Sequence, residues 1–197
     1  MKERRKSPPP QRVAAPLSGP AATGSNLLKD PRTGVYNMLA LHELLQYEID
    51  GGAQTEANEL FVTPLCLAAI AIDGLESLDS EIERGKLVEV TGQAIARGSR
   101  KADRLARQGN EFVVMLRRTL AKRTKEFWAP HLTAAVAQAT REAGFPTTLS
   151  FGIASLTEHL VRGPGDMVKK ALTALAVAKQ RGPGSVVVYD LREMPYD

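Results

Sequence analysis

Arg107–Leu116 reads RQGNEFVVML: a polar lead, a Gly-Asn pair, and then a nearly unbroken apolar run. Gly109-Asn110 between two β-compatible segments is hairpin chemistry, because a two-residue turn needs positive φ and Gly adopts it without steric strain. Leu105–Ala106 before the turn and Phe112–Leu116 after it therefore predict two antiparallel strands.

Working outward, Leu65–Ile72 is a continuous apolar run of strand length, which predicts a central strand buried on both faces. Ser80 to about Arg97 reads as a helix with Ile82, Leu87, Val90, Ala94 and Ile95 facing inward. Beyond the hairpin, a helix is expected from Ala121 to Ala143, kinked or divided at Pro130. Thr147–Ala154 reads as a strand, Asp166 as the cap of a helix reaching about Gln180, and Ser185–Tyr189 as a closing strand. Ahead of all this, Asn37 is the expected cap of a helix from Met38 to about Ile49, with Leu41, Leu44, Leu45 and Ile49 on one face and Gly51-Gly52 at its end. The core order is β-α-β-β-α-β, the split arrangement of ferredoxin-like folds. The fold class is α/β, an α+β sandwich, with an added N-terminal helix and a C-terminal helix and strand. That order assigns no function by itself.

The chain of 197 residues accommodates one domain, expected over 27–192, with tails at 1–26 and 193–197. Residues 1–26 are rich in Pro, Gly, Ser and Ala and lack the apolar content to offset chain entropy, so they are expected to be disordered. The formal net charge is +4, but the tail carries five basic residues (Lys2, Arg4, Arg5, Lys6 and Arg12) against Glu3. The remainder is neutral, which disfavours a nucleic-acid-binding domain.

No segment approaches the roughly 20 apolar residues needed to span a bilayer, and the basic start has no apolar core behind it. Cys66 stands alone in an apolar run and is expected to be a small buried hydrophobe. His42, His131 and His159 are dispersed without metal-ligand spacing, and Phe127 and Trp128 are expected to anchor the third helix in the core. A cytoplasmic location is the expectation.

Five segments, in order, resemble the GGDEF family of diguanylate cyclases. DPRTGVYN (Asp30–Asn37) is similar to the family's opening DxLTGLxNR, IAID (Ile70–Asp73) to its LDID, and RQGNEF to the RYGGDEF hairpin. TLSFGIAS (Thr148–Ser155) resembles T-x-S-I-G-V-A, and ALAVAK (Ala174–Lys179) with VVVYD (Val186–Asp190) resembles the family's closing segment. The resemblance implies the ferredoxin-like palm of nucleotidyl cyclases and a chemistry that joins two GTP molecules into cyclic di-GMP. Such phosphoryl transfer relies on divalent metal and oxygen ligands.

The resemblance also shows where this chain departs from the family. The principal metal positions align to Ala71 and Asn110, while Asp73 and Glu111 match neighbouring positions. A methyl group cannot ligate a cation and a neutral amide does so poorly. The guanine-reading K-x-I-N-D segment appears as Glu76–Ser80, with Glu76 for Lys and Asp79 for Asn. Gly182-Pro183-Gly184-Ser185 replaces the phosphate-contacting GRNR, leaving Lys179 of that cationic pair. Gln108, Gly109, Asn110, Glu111 and Phe112 thus form a degenerate signature hairpin, with no catalytic residue and no metal site expected.

With the hairpin's one-residue deletion placed in the turn, Arg100 and Asp103 match the family's RxxD site for cyclic di-GMP. Arg can donate a bidentate pair to guanine O6 and N7, and Asp can accept from guanine N–H groups. Arg104 and Arg107 are candidate helpers, and Arg123 and Arg141 are loose candidates for the arginine the family recruits from a second surface. The competing reading of Arg100 and Asp103 is a structural ion pair.

These observations point to a non-catalytic cyclic di-GMP receptor that signals through a protein partner, with no cofactor and with homodimerisation left open. The alternatives are a pure interaction module that binds no nucleotide and residual GTP binding or cyclase activity.

Overall fold

The computed structural model describes residues 27–52, 63–192 and Met194. The expected disordered tail at 1–26, and all of 193–197 except Met194, lie outside the described residues. The elements are β1 (Tyr36–Asn37), α1 (Met38–Gly52), β2 (Leu65–Ile72), α2 (Glu81–Gly98), β3 (Arg104–Gln108) and β4 (Glu111–Arg117). Then come α3 (Ala121–Arg123), α4 (Ala129–Glu142), β5 (Leu149–Ser155), α5 (Pro164–Arg181) and β6 (Val186–Val188).

One six-stranded sheet has the order β1-β3-β4-β2-β5-β6. The inner four strands, β3-β4-β2-β5, are antiparallel, which is the ferredoxin-like arrangement expected from the element order. The outer strands β1 and β6 pair in parallel. Every residue of β2 is buried, because alternate side chains enter two different cores. Cys66, Ala68 and Ile70 pack with α2 and α4, whereas Leu67 and Ala69 pack with α1 and α5.

Helix α5 lies unusually close to the sheet. A Cβ on Gly152 would fall 2.1 Å from the Leu175 nitrogen and 2.2 Å from the Ala171 oxygen, so only glycine permits this approach.

Several local expectations are corrected. Ile82, expected inward, is 84% exposed. The buried stripe of α2 runs through Leu87, Val88, Thr91, Gly92, Ala94 and Ile95, and at about 3.6 residues per turn Ile82 lies on the opposite side. The third helix does run from Ala121 to Glu142, and it is divided near Pro130 as expected. A π turn over Thr124–Trp128 separates α3 from α4 and places Pro130 at the start of α4, where a missing N–H is tolerated. Within that turn Phe127, expected in the core, faces solvent at 66% exposure, while Trp128 packs edge-on against Phe151 at 6.0 Å.

Asp166 does not occupy the cap position, because α5 begins earlier, after Gly163 and at Pro164. Its carboxylate accepts from the Arg162 nitrogen at 2.9 Å and from Lys170 Nζ. Strand β1 was not expected, since two residues carry no periodicity.

Candidate functional site

The hairpin and the end of β2 come together as the resemblance implies. Gln108 pairs with Glu111 across a two-residue turn, with Gly109 at φ 60°, and Glu111 faces Ala71 on β2. Phe112 is fully buried beneath the hairpin, 3.0 Å from where a Cβ on Gly92 would lie.

The polar groups at this end are already engaged with one another. Glu111 Oε1 accepts from Lys179 Nζ at 2.5 Å. Asn110 Nδ2 donates to Glu76 Oε1 at 3.3 Å, so two departures from the family pattern meet each other. Asp73 accepts three hydrogen bonds: from Thr148 Oγ1 at 2.6 Å, Ser150 Oγ at 2.7 Å and the Gly184 nitrogen at 2.8 Å. The last of these ties the Gly182–Ser185 segment down onto the strand ends. Asp79 is exposed on the connection into α2, one residue before the Ser80 cap.

Arg100 and Asp103 lie at the other end of the sheet, roughly 20 Å away along β4. Asp103 folds back on the short turn that precedes β3, where its Oδ2 accepts from the Arg100 nitrogen at 3.0 Å and from Arg100 Nε at 3.1 Å. Arg100 Nη2 reaches Asp103 Oδ1 at 2.9 Å, the Arg117 carbonyl at 3.0 Å and Thr119 Oγ1 at 2.8 Å. The Asp103 side chain has no exposed surface, while that of Arg100 is 54% exposed. Asp103 thus acts as a clamp that aims the guanidinium, and the Nη1 edge has no acceptor among the described residues.

Neither candidate helper is free to join this pair unchanged. Arg104 Nη1 donates to the Lys101 and Asp103 carbonyls, each at 3.0 Å. Arg107 Nη1 lies 3.0 Å from both carboxylate oxygens of Asp30, with only 11% of its side chain exposed. Burial alone would raise the Asp30 pKa. The Thr33 hydroxyl, the Thr33 N–H and Arg107 together lower it below the ordinary 3.8. DPRTG is therefore a structural anchor for β3. Arg123 and Arg141 are exposed on α3 and in the last turn of α4.

Sequence reasoning missed Thr119 and the Arg117 carbonyl. Their sole signal is proximity, since the antiparallel hairpin returns β4 to the start of β3. It also gave His159 no specific role. Its Nδ1 accepts from the Ser155 nitrogen at 2.9 Å, and burial holds its pKa below the ordinary 6.5.

Residues 27–185 match the family described as diguanylate cyclase, GGDEF domain. No curated protein sequence matches the chain. Among solved structures, the GGDEF domain of YfiN (TpbB) from Pseudomonas aeruginosa is similar with TM-score 0.72 and 22% identity, over 83% of this chain and 95% of that one. The GGDEF domain of DgcB from Caulobacter crescentus, in complex with c-di-GMP, aligns with TM-score 0.66 and 18% identity, over 83% of this chain and 94% of that one. Diguanylate cyclase SiaD from Pseudomonas aeruginosa, in complex with its activator SiaC, aligns with TM-score 0.65 and 21% identity, over 83% of this chain and 62% of that one. At these identities the structural likeness carries the fold, and the family match carries membership. The chain belongs to the diguanylate cyclase GGDEF domain family.

Proposed function

We propose that this chain is a non-catalytic receptor for cyclic di-GMP, which it binds through Arg100 and reports to a protein partner. The observation that carries the proposal is the contrast in how the two ends use their charges. At the hairpin end the donor set does not fit a divalent cation. Ala71 offers a methyl group, Asn110 is held by Glu76, Glu111 by Lys179, and Asp73 by three protein donors. At the opposite end Arg100 is braced by a buried carboxylate, with half of its side chain exposed. A braced guanidinium loses little entropy on meeting a ligand, and its free Nη1 edge can donate to a guanine or phosphate oxygen. In this reading Asp103 is a positioning residue and Arg100 is the ligand contact. The complexes of one structural relative with c-di-GMP, and of another with a protein activator, support both halves of the reading.

Calorimetric titration with cyclic di-GMP tests it directly. The parent chain binds, and Arg100→Ala reduces affinity about tenfold or more. Absence of binding by the parent, or equal binding by the variant, would refute the receptor role. A second reading, a GGDEF scaffold that binds partners without nucleotide, is favoured by one observation: the Asp103 carboxylate is fully covered and cannot meet guanine unless Arg100 moves.

A further inference from the structure

A groove of about 840 Å³ opens between the π turn before α4, the β5–α5 connection, α5 and the segment after β6. It is lined in part by Lys125, Arg162 and Arg192, whose side chains have no hydrogen-bonded partner among the described residues, and by the exposed Leu160 and Leu191. We infer that this groove docks an acidic peptide segment of a protein partner, one that carries apolar side chains among its carboxylates. This surface is separate from Arg100 and does not depend on the cyclic di-GMP reading.

The charge balance of the groove follows from its lining. Three carboxylates also line it, but each has a partner within the chain. Glu158 Oε1 accepts from the Ala121 nitrogen at 3.1 Å. Asp166 is held by the Arg162 nitrogen and by Lys170, and Asp190 Oδ1 accepts from the Arg192 nitrogen at 2.9 Å. Backbone N–H donors do not cancel the charge of Glu158 or Asp190, but the lining sets five basic side chains, Lys125, Arg162, Lys170, Arg181 and Arg192, against these three acids, so its net charge is positive and its selectivity is for anions.

The apolar component argues for a peptide over a free anion. Leu160 is 82% exposed and Leu191 is 70% exposed, and both line the same groove. Phosphate would leave these side chains in water, whereas a peptide with apolar residues between its acids covers them. Tyr189 stiffens the floor, since its ring packs edge-on against His159 at 5.4 Å and lies beneath Lys170 at 5.6 Å. The chain's own N-terminal tail, with five basic residues against one acidic, has the wrong sign to occupy it.

The test is to pan a phage-displayed library of random short peptides on the full-length chain in nucleotide-free buffer, then measure the enriched peptides by fluorescence anisotropy. Enriched sequences that combine Asp or Glu with large apolar residues are expected. Their binding should weaken about tenfold in a chain carrying Arg162→Glu and Arg192→Glu together. It should also weaken in one carrying Leu160→Ser and Leu191→Ser, with the parent's thermal midpoint kept in both. Enrichment of peptides without acids, no enrichment, or affinity unchanged by both variants would overturn the inference. So would displacement of the peptide by inorganic phosphate or GTP at equal ionic strength, since that would make the groove a simple anion site. Failure of the cyclic di-GMP titration leaves this result unaffected, because the panning contains no nucleotide.

Discussion

The two ends of the sheet use the same kinds of residue to opposite effect. At the hairpin end, the acids are engaged within the chain: Lys179 pairs with Glu111, and two hydroxyls and an N–H donate to Asp73. At the other end, a buried carboxylate supports a cation that remains half-exposed. In the proposed reading, carboxylates engaged by protein donors are poorer metal ligands, whereas a cation braced from behind keeps its outer edge for a ligand. The fold is common to both ends, so the difference lies in a few side chains.

The harshest way to break the comparison is to break both ends at once. Gly152→Ala places a methyl group against the Leu175 and Ala171 backbone and forces α5 off the sheet, so a loss of about 3 kcal/mol or more is expected. Thermal denaturation should show a midpoint lower by about 10 °C. A midpoint within error of the parent would mean that α5 is not seated as described.

A smaller effect separates the ends. Asp103→Asn removes the charge that orients Arg100 while keeping the side-chain volume. It should cost about 1 kcal/mol of stability, because Arg100 is too exposed for more, and it should weaken cyclic di-GMP binding together with Arg100→Ala. Full binding by Asp103→Asn would remove its positioning role. By contrast, the pair formed by Lys179 and Glu111 is exposed at 47% and 27%, so Lys179→Met should change stability by less than about 0.5 kcal/mol in urea denaturation.

Acid titration sharpens the contrast through two windows. The His159 pKa is lowered by burial, so its contribution to stability is complete above 6.5 and declines as pH falls from there toward the depressed native value. The pKa values of Asp30 and Asp166 are lowered as well, and their contributions are complete above 3.8 and are lost as pH falls through the native values. Thermal midpoints should therefore decline in two steps as pH is lowered, and His159→Gln should remove the upper one. A single step near the carboxylate range in the parent would contradict the lowered pKa of the half-buried His159 imidazole.

Much of the architecture was legible because it rests on short-range pattern. The apolar run at Leu65–Ile72 could hardly be anything but a central strand, and Gly109-Asn110 marked the hairpin. Asn37 and Ser80 were expected to start helices, and both accept from a backbone N–H one turn on. What escaped depends on tertiary geometry. Whether Ile82 faces in or out depends on helix phase, and the rotation of Phe127 away from the core accompanies a π turn. The candidate site was legible as residues and not as bonds. Arg100 and Asp103 were named from the resemblance to the family's RxxD site, yet their closure on each other and on Thr119 is a property of how β4 returns beside β3.

Strand β6 has a consequence for solubility. It is three residues long and covers the outer edge of β5, whose seven residues are all buried. Tyr189 extends that cover by donating its N–H to the Ile153 carbonyl at 2.7 Å. A chain stopped before Val186 would present the outer edge of an apolar strand to its neighbours, the template on which sheets of separate molecules join. The shortness of β6 works in the same direction, since so brief a strand gives a neighbouring chain little length on which to pair.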